Sequence, residues 1–238
     1  GDRWIIGIKY QTINNGENRL WAISWDPELN KAKPHKLTYT EDNGLSWKFT
    51  SFFEGIEAIV YDLFFDDHFI YASTNMGLFK NDGTNMELWI PYEIKDNNHT
   101  VLTDVILSSA NNEVNNQKFL WAGSPDGIFY SLDEGFSWLM YRTWNKENIN
   151  NKNLSAYPNP FYVNEGYKKI RIVFDIESND NSKLDIYDFR MKHIKNLNNL
   201  EIIGNNGQYI WDGTNKFNNQ VSNGVYYCRL NLDGKYYW

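Results

Sequence analysis

The chain has 238 residues and a formal net charge of −7, from 23 Lys and Arg against 30 Asp and Glu. That balance argues against nucleic acid as a partner, which would call for a basic stripe, and the single cysteine, Cys228, rules out an intrachain disulfide. Aromatics make up 17% of the residues, and Gly, Asn and Asp recur at short intervals, a texture of many short strands joined by turns.

The chain opens at Gly1-Asp2-Arg3-Trp4, without an initiator Met or a leader, which reads as a processed or trimmed product. Trp4 to Tyr10 is strand-like. Leu20-Trp21-Ala22 comes next, then a long polar insertion, Asp26 to Pro34, and then Lys36-Leu37-Thr38-Tyr39. After these stands Thr40-Glu41-Asp42-Asn43-Gly44-Leu45-Ser46-Trp47. A second octapeptide of the same form is Ser131-Leu132-Asp133-Glu134-Gly135-Phe136-Ser137-Trp138. Both read hydroxyl-x-Asp-x-Gly-x-Ser-Trp. The Asp can accept backbone N–H bonds inside a tight turn, the Gly tolerates φ > 0, and the Trp supplies a large apolar plate for the next strand. Asp42, Gly44, Trp47, Asp133, Gly135 and Trp138 are therefore expected to be structural. The pattern resembles the Asp-box, or BNR repeat, of sialidases, sortilin-type receptors and many secreted β-propellers.

The surrounding text also repeats. Tyr71-Ala72-Ser73-Thr74-Asn75-Met76-Gly77-Leu78-Phe79 aligns with Trp121-Ala122-Gly123-Ser124-Pro125-Asp126-Gly127-Ile128-Phe129. The first copy runs into a degenerate box, Asn81-Asp82-Gly83-Thr84, and ends on Trp89. Apolar strands precede each copy at Trp4 to Tyr10, Ala58 to Phe65 and Val101 to Leu107. Four strands recurring about every 50 residues is the texture of a β-propeller blade. The expectation for residues 1–144 is a partial propeller of about three four-stranded blades. Three blades do not close a ring, so the remaining blades are expected from upstream sequence or another chain.

Asn145 to Asn153 is polar and aperiodic, and residues 145–156 read as a linker. The prolines of Tyr157-Pro158-Asn159-Pro160-Phe161 fix an extended entry to the C-terminal segment. Ile170, Ile172, Phe174 and Ile176 alternate with Arg171, Val173 and Asp175. After them come Leu184 to Asp188, His193 to Leu197, Tyr209-Ile210-Trp211, Gly224 to Leu232, and a last turn at Asp233-Gly234. About seven short strands suggest an immunoglobulin-type β-sandwich over residues 157–238. No helix is strongly predicted. The segment resembles the immunoglobulin-like domain of flagellar hook-capping proteins and the domains that end many type IX-secreted proteins of Bacteroidota. Asn159-Pro160-Phe161, Leu184 to Asp188, Trp211-Asp212-Gly213-Thr214 and Gly224-Val225-Tyr226 carry that resemblance, with Trp211, Asp212 and Gly213 as structural residues. Phe189 to Lys192 departs from the family's usual short turn.

Catalytic signals are poor. The Asp-box implies sialidase chemistry as one possibility. That chemistry, as the resemblance implies, needs an arginine triad on the substrate carboxylate, and none of the three arginines of the first 144 residues, Arg3, Arg19 and Arg142, sits in an Arg-Ile-Pro-like setting. His35, His68, His99 and His193 stand far apart, with no metal-ligand spacing. Asp82 to Asn85 has oxygen ligands but lacks the full calcium loop. Neither a cofactor motif nor an apolar run of ~20 residues for a transmembrane helix is present. Trp21 and Trp25, flanking the insertion, are candidates for a binding surface, with packing within the blades as the other reading. The reading is a non-enzymatic bacterial protein, exported to the cell surface or beyond. Its propeller would be an interaction scaffold for a protein or glycan, and its sandwich a spacer, docking or secretion-associated module. The alternatives are part of a sialidase-type enzyme and a sensor ectodomain.

Overall fold

The protein is described by a computed structural model covering residues 4–13, 16–25, 37–96, 101–141, 154–161, 168–176, 181–203 and 206–238. The architecture is all-β: five four-stranded antiparallel sheets, none of them closed, and a single helical turn, α1 (Phe52–Gly55), among the described residues. That helix is likewise too short to cross a membrane. The chain divides into two compact units, Gly1–Thr143 and Trp144–Trp238.

The first unit is three meanders in succession. Sheet one is β1 (Trp4–Thr12), β2 (Asn18–Trp25), β3 (Leu37–Thr40) and β4 (Lys48–Thr50). Sheet two is β5 (Val60–Phe65), β6 (Ile70–Thr74), β7 (Gly77–Asn81) and β8 (Ile90–Tyr92). Sheet three is β9 (Ser108–Val114), β10 (Gln117–Ser124), β11 (Gly127–Ser131) and β12 (Leu139–Tyr141). In every sheet the strands pair in chain order. The registers correspond across the repeats: Trp21 faces Tyr39, Tyr71 faces Lys80, and Trp121 faces Tyr130.

Strand alternation gives each sheet an aromatic face, marked by Trp21, Tyr71 or Trp121, and an alanine face, marked by Ala22, Ala72 or Ala122. The aromatic face of one sheet packs on the alanine face of the next. Trp21, Ile23, Leu37 and Tyr39 share a core with Leu63, Ile70, Ala72 and Phe79. Phe64, Tyr71 and Leu78 of sheet two share another with Leu120, Ala122 and Phe129 of sheet three. Each fully buried side chain of this size contributes roughly 1.5–3 kcal/mol, so these two junctions hold the unit together. Phe53 of α1 is buried in the first junction, edge-on to Phe79 at 5.8 Å. Polar ties cross both junctions: Lys9 to Asp62 at 2.7 Å, and Ser73 to Ser109 at 2.5 Å.

The inner strand of sheet three is not where the apolar text placed it. Val101 to Leu107 is irregular, and Ser108–Val114 forms the strand. Leu102 and Ile106 are buried, and their backbone bonds run to a turn of sheet three and to sheet two respectively. Leu102 N–H donates to Asp126 Oδ2 and Ile106 N–H to Thr74 O, so this apolar run docks against its neighbours instead of entering a ladder.

The second unit has sheets of order β13-β14-β18-β17 and β16-β15-β19-β20. The strands are β13 (Ser155–Tyr157), β14 (Ile170–Asp175), β15 (Ser182–Asp188), β16 (His193–Leu197), β17 (Leu200–Ile203), β18 (Asn206–Trp211), β19 (Tyr226–Leu232) and β20 (Lys235–Tyr237). Both sheets contribute to one core, with Ile172, Phe174, Tyr209 and Trp211 meeting Leu184, Ile186, Leu230 and Leu232. Ser155 and Ala156, expected in the linker, pair with β14. Arg171 and Val173 are buried as well, so β14 is covered on both faces, and Arg171 Nη1 donates to Gln208 Oε1 at 2.6 Å. At Phe189 to Lys192, the Asp188 carboxylate accepts the N–H groups of Arg190 and Lys192, and Met191 takes φ 62°. Burial pushes the Cys228 thiol up to about 11, which leaves it a protonated packing group at neutral pH.

Candidate functional site

The two octapeptides form the β3–β4 and β11–β12 turns with the same hydrogen bonds. The Thr40 hydroxyl donates to Asp42 Oδ1 at 2.7 Å and accepts the Gly44 N–H at 2.9 Å. Ser46 donates its N–H to Asp42 Oδ1 at 2.8 Å and its hydroxyl to Oδ2 at 2.5 Å. In the second copy Ser131, Asp133, Gly135 and Ser137 repeat each bond, at 2.7, 2.7, 2.9 and 2.6 Å. Two consecutive residues take positive φ: Asn43 (57°) and Gly44 (89°), then Glu134 (56°) and Gly135 (87°). The serine bonds hold both carboxyls well below the usual range, at about 2. Each carboxylate is thus saturated by its own turn.

The degenerate copy substitutes an amide for the hydroxyl. Asn81 Oδ1 accepts the Gly83 N–H, and its Nδ2 donates to Asn85 O and Leu88 O. Asp82 Oδ1 is taken by the N–H and hydroxyl of Thr84, so this loop is a satisfied turn. Among the described residues no group of three or more His, Cys, Asp or Glu is placed to hold a metal.

In the second unit Trp211, Asp212 and Gly213 form another such turn. Trp211 Nε1 donates to Thr214 O at 2.9 Å, Asp212 Oδ1 accepts the Thr214 hydroxyl at 2.7 Å, and Gly213 takes φ 71°. Burial alone would raise the Asp212 pKa, but the Thr214 bonds and the Lys195 ammonium at 3.2 Å outweigh it and the pKa is lowered.

Trp21 is not a binding surface. It is 0% exposed, stacked near Tyr39 at 4.8 Å, with its Nε1 donating to Gln11 Oε1 at 2.8 Å. A ring that completes the junction between two sheets has no face left for a ligand. The Trp25 side chain and the insertion 26–34 lie outside the described residues, as do Arg3, Arg142, His35 and His99.

The cleft that the fold does provide lies elsewhere in the first unit, at the box end of sheets two and three, with a volume of about 910 Å³. The β5–β6 turn, the β9–β10 hairpin and the second box converge there. Tyr71 forms part of the wall, its hydroxyl donating to Asp66 Oδ2 at 3.0 Å, while Asp66 Oδ1 accepts the N–H groups of His68 and Phe69. Burial, and then the Asp66 charge, raises the Tyr71 pKa far above the phenol range, so it stays protonated. Lys80 Nζ lies over the rings of Tyr92 and Phe69, at 4.5 and 4.8 Å. The Tyr92 hydroxyl donates to Glu134 O, tying sheet two to the second box. Lys118 pairs with Asp67 at 3.1 Å. Tyr10 and Phe136 line the opening with exposed rings. Asp66, Asp67, Glu113 and Glu134 face Lys80 and Lys118, so the lining carries an excess of negative charge. These groups suit binding by ring contact and ionic complementarity. The buried tyrosines, being held protonated by burial, are not poised as nucleophiles.

Asp66-Asp67, set between two apolar runs, has the local sequence of a turn and nothing more. Nothing local signals that Lys80, Tyr92 and Phe136 converge on it, because they come from three different strand ends. No protein-family model matches the chain, and no curated protein matches it.

Proposed function

We propose that the first unit is an arc of β-propeller blades acting as a non-enzymatic interaction scaffold in an exported bacterial protein. The second unit is an immunoglobulin-like spacer or secretion-associated module. The observation that carries this reading is serial: three meander sheets stack aromatic face on alanine face, and two of them end in identical box turns. That repeat supports a radial array of blades and gives the boxes a structural task.

The scaffold's working surface is the cleft between sheets two and three. Its acidic lining and open ring favour a protein partner that inserts a segment rich in Lys or Arg, whose cations meet Glu113, Glu134 and the face of Phe136. Fluorescence anisotropy with a labelled Lys/Arg peptide, a Glu counterpart and a neutral oligosaccharide tests it. Saturable binding of the basic peptide is expected, weakened by salt and by Phe136→Ala with Glu113→Gln. A preference for the oligosaccharide or the acidic peptide would refute the assignment. Cell fractionation tests the exported location independently, and recovery of the protein from the cytoplasm alone would defeat it.

A further inference from the structure

Among the described residues sheet two is covered on both faces, whereas sheets one and three each have one face that no other sheet covers. On the alanine face of sheet one, Ile8 and Tyr10 occupy the positions of Leu63 and Phe65, as their pairing with Ala22 and Leu20 shows. Leu63 is 1% exposed against sheet one, and Ile8 is 64% exposed. Trp89 and Trp138, the tryptophans after the second and third turns, are buried in the junctions with the preceding sheet. Trp47 holds the matching place in sheet one and is exposed.

The aromatic face of sheet three shows the complementary vacancy. Trp121 and Tyr130 stand 5.5 Å apart with their planes at 30°, close to the 4.8 Å and 35° of Trp21 and Tyr39. Trp21 and Tyr39 receive Leu63, Phe65 and Ala72. Nothing comparable covers Trp121 and Tyr130 among the described residues, where Ile128 is 43% exposed while its counterpart Leu37 is buried. Tyr141 stacks on Tyr130 at 5.1 Å and extends the open aromatic face.

We infer that these two faces are made for each other in a second copy of this chain. Ile8, Tyr10 and Ala22 of one copy repeat the residue classes of Leu63, Phe65 and Ala72, and they dock on Trp121 and Tyr130 of the other. Each contact is head-to-tail, and two such contacts related by a twofold axis close a ring of six sheets. Six lies within the four to eight blades that close propellers. The inference rests on the proposal that the sheets are blades, but not on the ligand assigned to the cleft, which lies within one copy.

Light scattering during size exclusion of the 238-residue chain, from nanomolar to high micromolar, tests this. A concentration-dependent mass of twice the chain is expected. Ile8→Asp and Ile128→Asp each change an exposed residue at one end, and each should yield monomer whose thermal melt equals that of the wild type at concentrations where the wild type is monomeric. Mixed together, they should recover a dimer, because one of its two junctions is then unaltered. Monomer at every concentration, an open series of larger oligomers, or a dimer indifferent to both substitutions would overturn the inference. In each of those cases the basic-peptide titration would still report on the cleft, so the two failures are distinguishable.

Discussion

The β3–β4 and β11–β12 turns are built alike and end differently. Bond for bond, Asp42 and Asp133 organise the same loop, yet Trp47 is 48% exposed and Trp138 is 2% exposed. Trp138 sits in the junction between sheets two and three, near Tyr92 at 6.5 Å and among Phe64, Tyr71 and Leu78. Sheet one has no preceding sheet on its alanine face among the described residues, so Trp47 has nothing to enter. The contrast separates two tasks within one octapeptide. Its hydroxyl, Asp, Gly and Ser make a turn that closes on itself, while its Trp is a tertiary element whose worth depends on the neighbouring sheet.

Truncating the tryptophans should expose that difference most strongly. Trp138→Ala, and equally Trp89→Ala, removes a buried ring from a junction and should cost about 3–5 kcal/mol in chemical denaturation. Trp47→Ala should cost under about 1 kcal/mol at protein concentrations where the chain is monomeric. Equal losses would mean that Trp47 is covered in solution even in the monomer. The next pair lies on the inner strands. Leu63→Ala should destabilise by about 2–5 kcal/mol, as deletions from a packed core do. Ile8→Ala, at the matching register, should stay within about 0.5 kcal/mol.

A third pair compares the glycines, and its effects are smaller. Gly44 and Gly135 both take positive φ, where any L side chain is strained by about 1–3 kcal/mol. A Cβ at Gly44 would meet nothing within 4 Å, but at Gly135 it would run into the Tyr92 ring and hydroxyl. Gly44→Ala should therefore lose only the backbone part. Gly135→Ala should lose that and also the tie from Tyr92 to Glu134, and Gly135→Ala combined with Tyr92→Phe should not recover the wild-type melting temperature.

The same division explains what could be read from residues alone. The turns were legible because every group they use lies within eight consecutive residues, and the strand order followed from aromatic-Ala and Gly-aliphatic-Phe recurring in register. For Trp21 the residues alone left packing and binding both open, and the sheet laid over it decides for packing. An aromatic before alanine marks the covered face only once the next sheet is known to lie on it. Val101 to Leu107 misled for a related reason: its apolar residues answer to two neighbouring sheets at once, so hydrophobicity there reports docking and not pairing. Ser108–Val114, polar and mostly exposed, is a strand because β10 pairs with it along its whole length. The cleft escaped entirely, since Asp66, Lys80, Tyr92 and Phe136 acquire meaning only when the strand ends that carry them are brought together.

The smallest expected effect bears on what the two boxes share. Both carboxyls are depressed from 3.8 to about 2 by Ser hydroxyl and N–H bonds made within the turn. A carboxylate that is easier to ionise in the folded state stabilises the fold above its unfolded pKa, and loses that contribution as pH falls through the folded one. The relevant window is therefore pH 3.8 down to about 2, and stability at neutral pH is untouched by titration of these groups. Melting temperature against pH should show a weaker decline across that window for Asp42→Asn, for Asp133→Asn, and most of all for the double variant. Because the bonds are the same, the two single variants should flatten the decline equally, although their tryptophans differ in burial. A larger change at Asp133 would show that the junction around Trp138 feeds back on the turn, and that the octapeptide is less self-contained than its matched bonds imply.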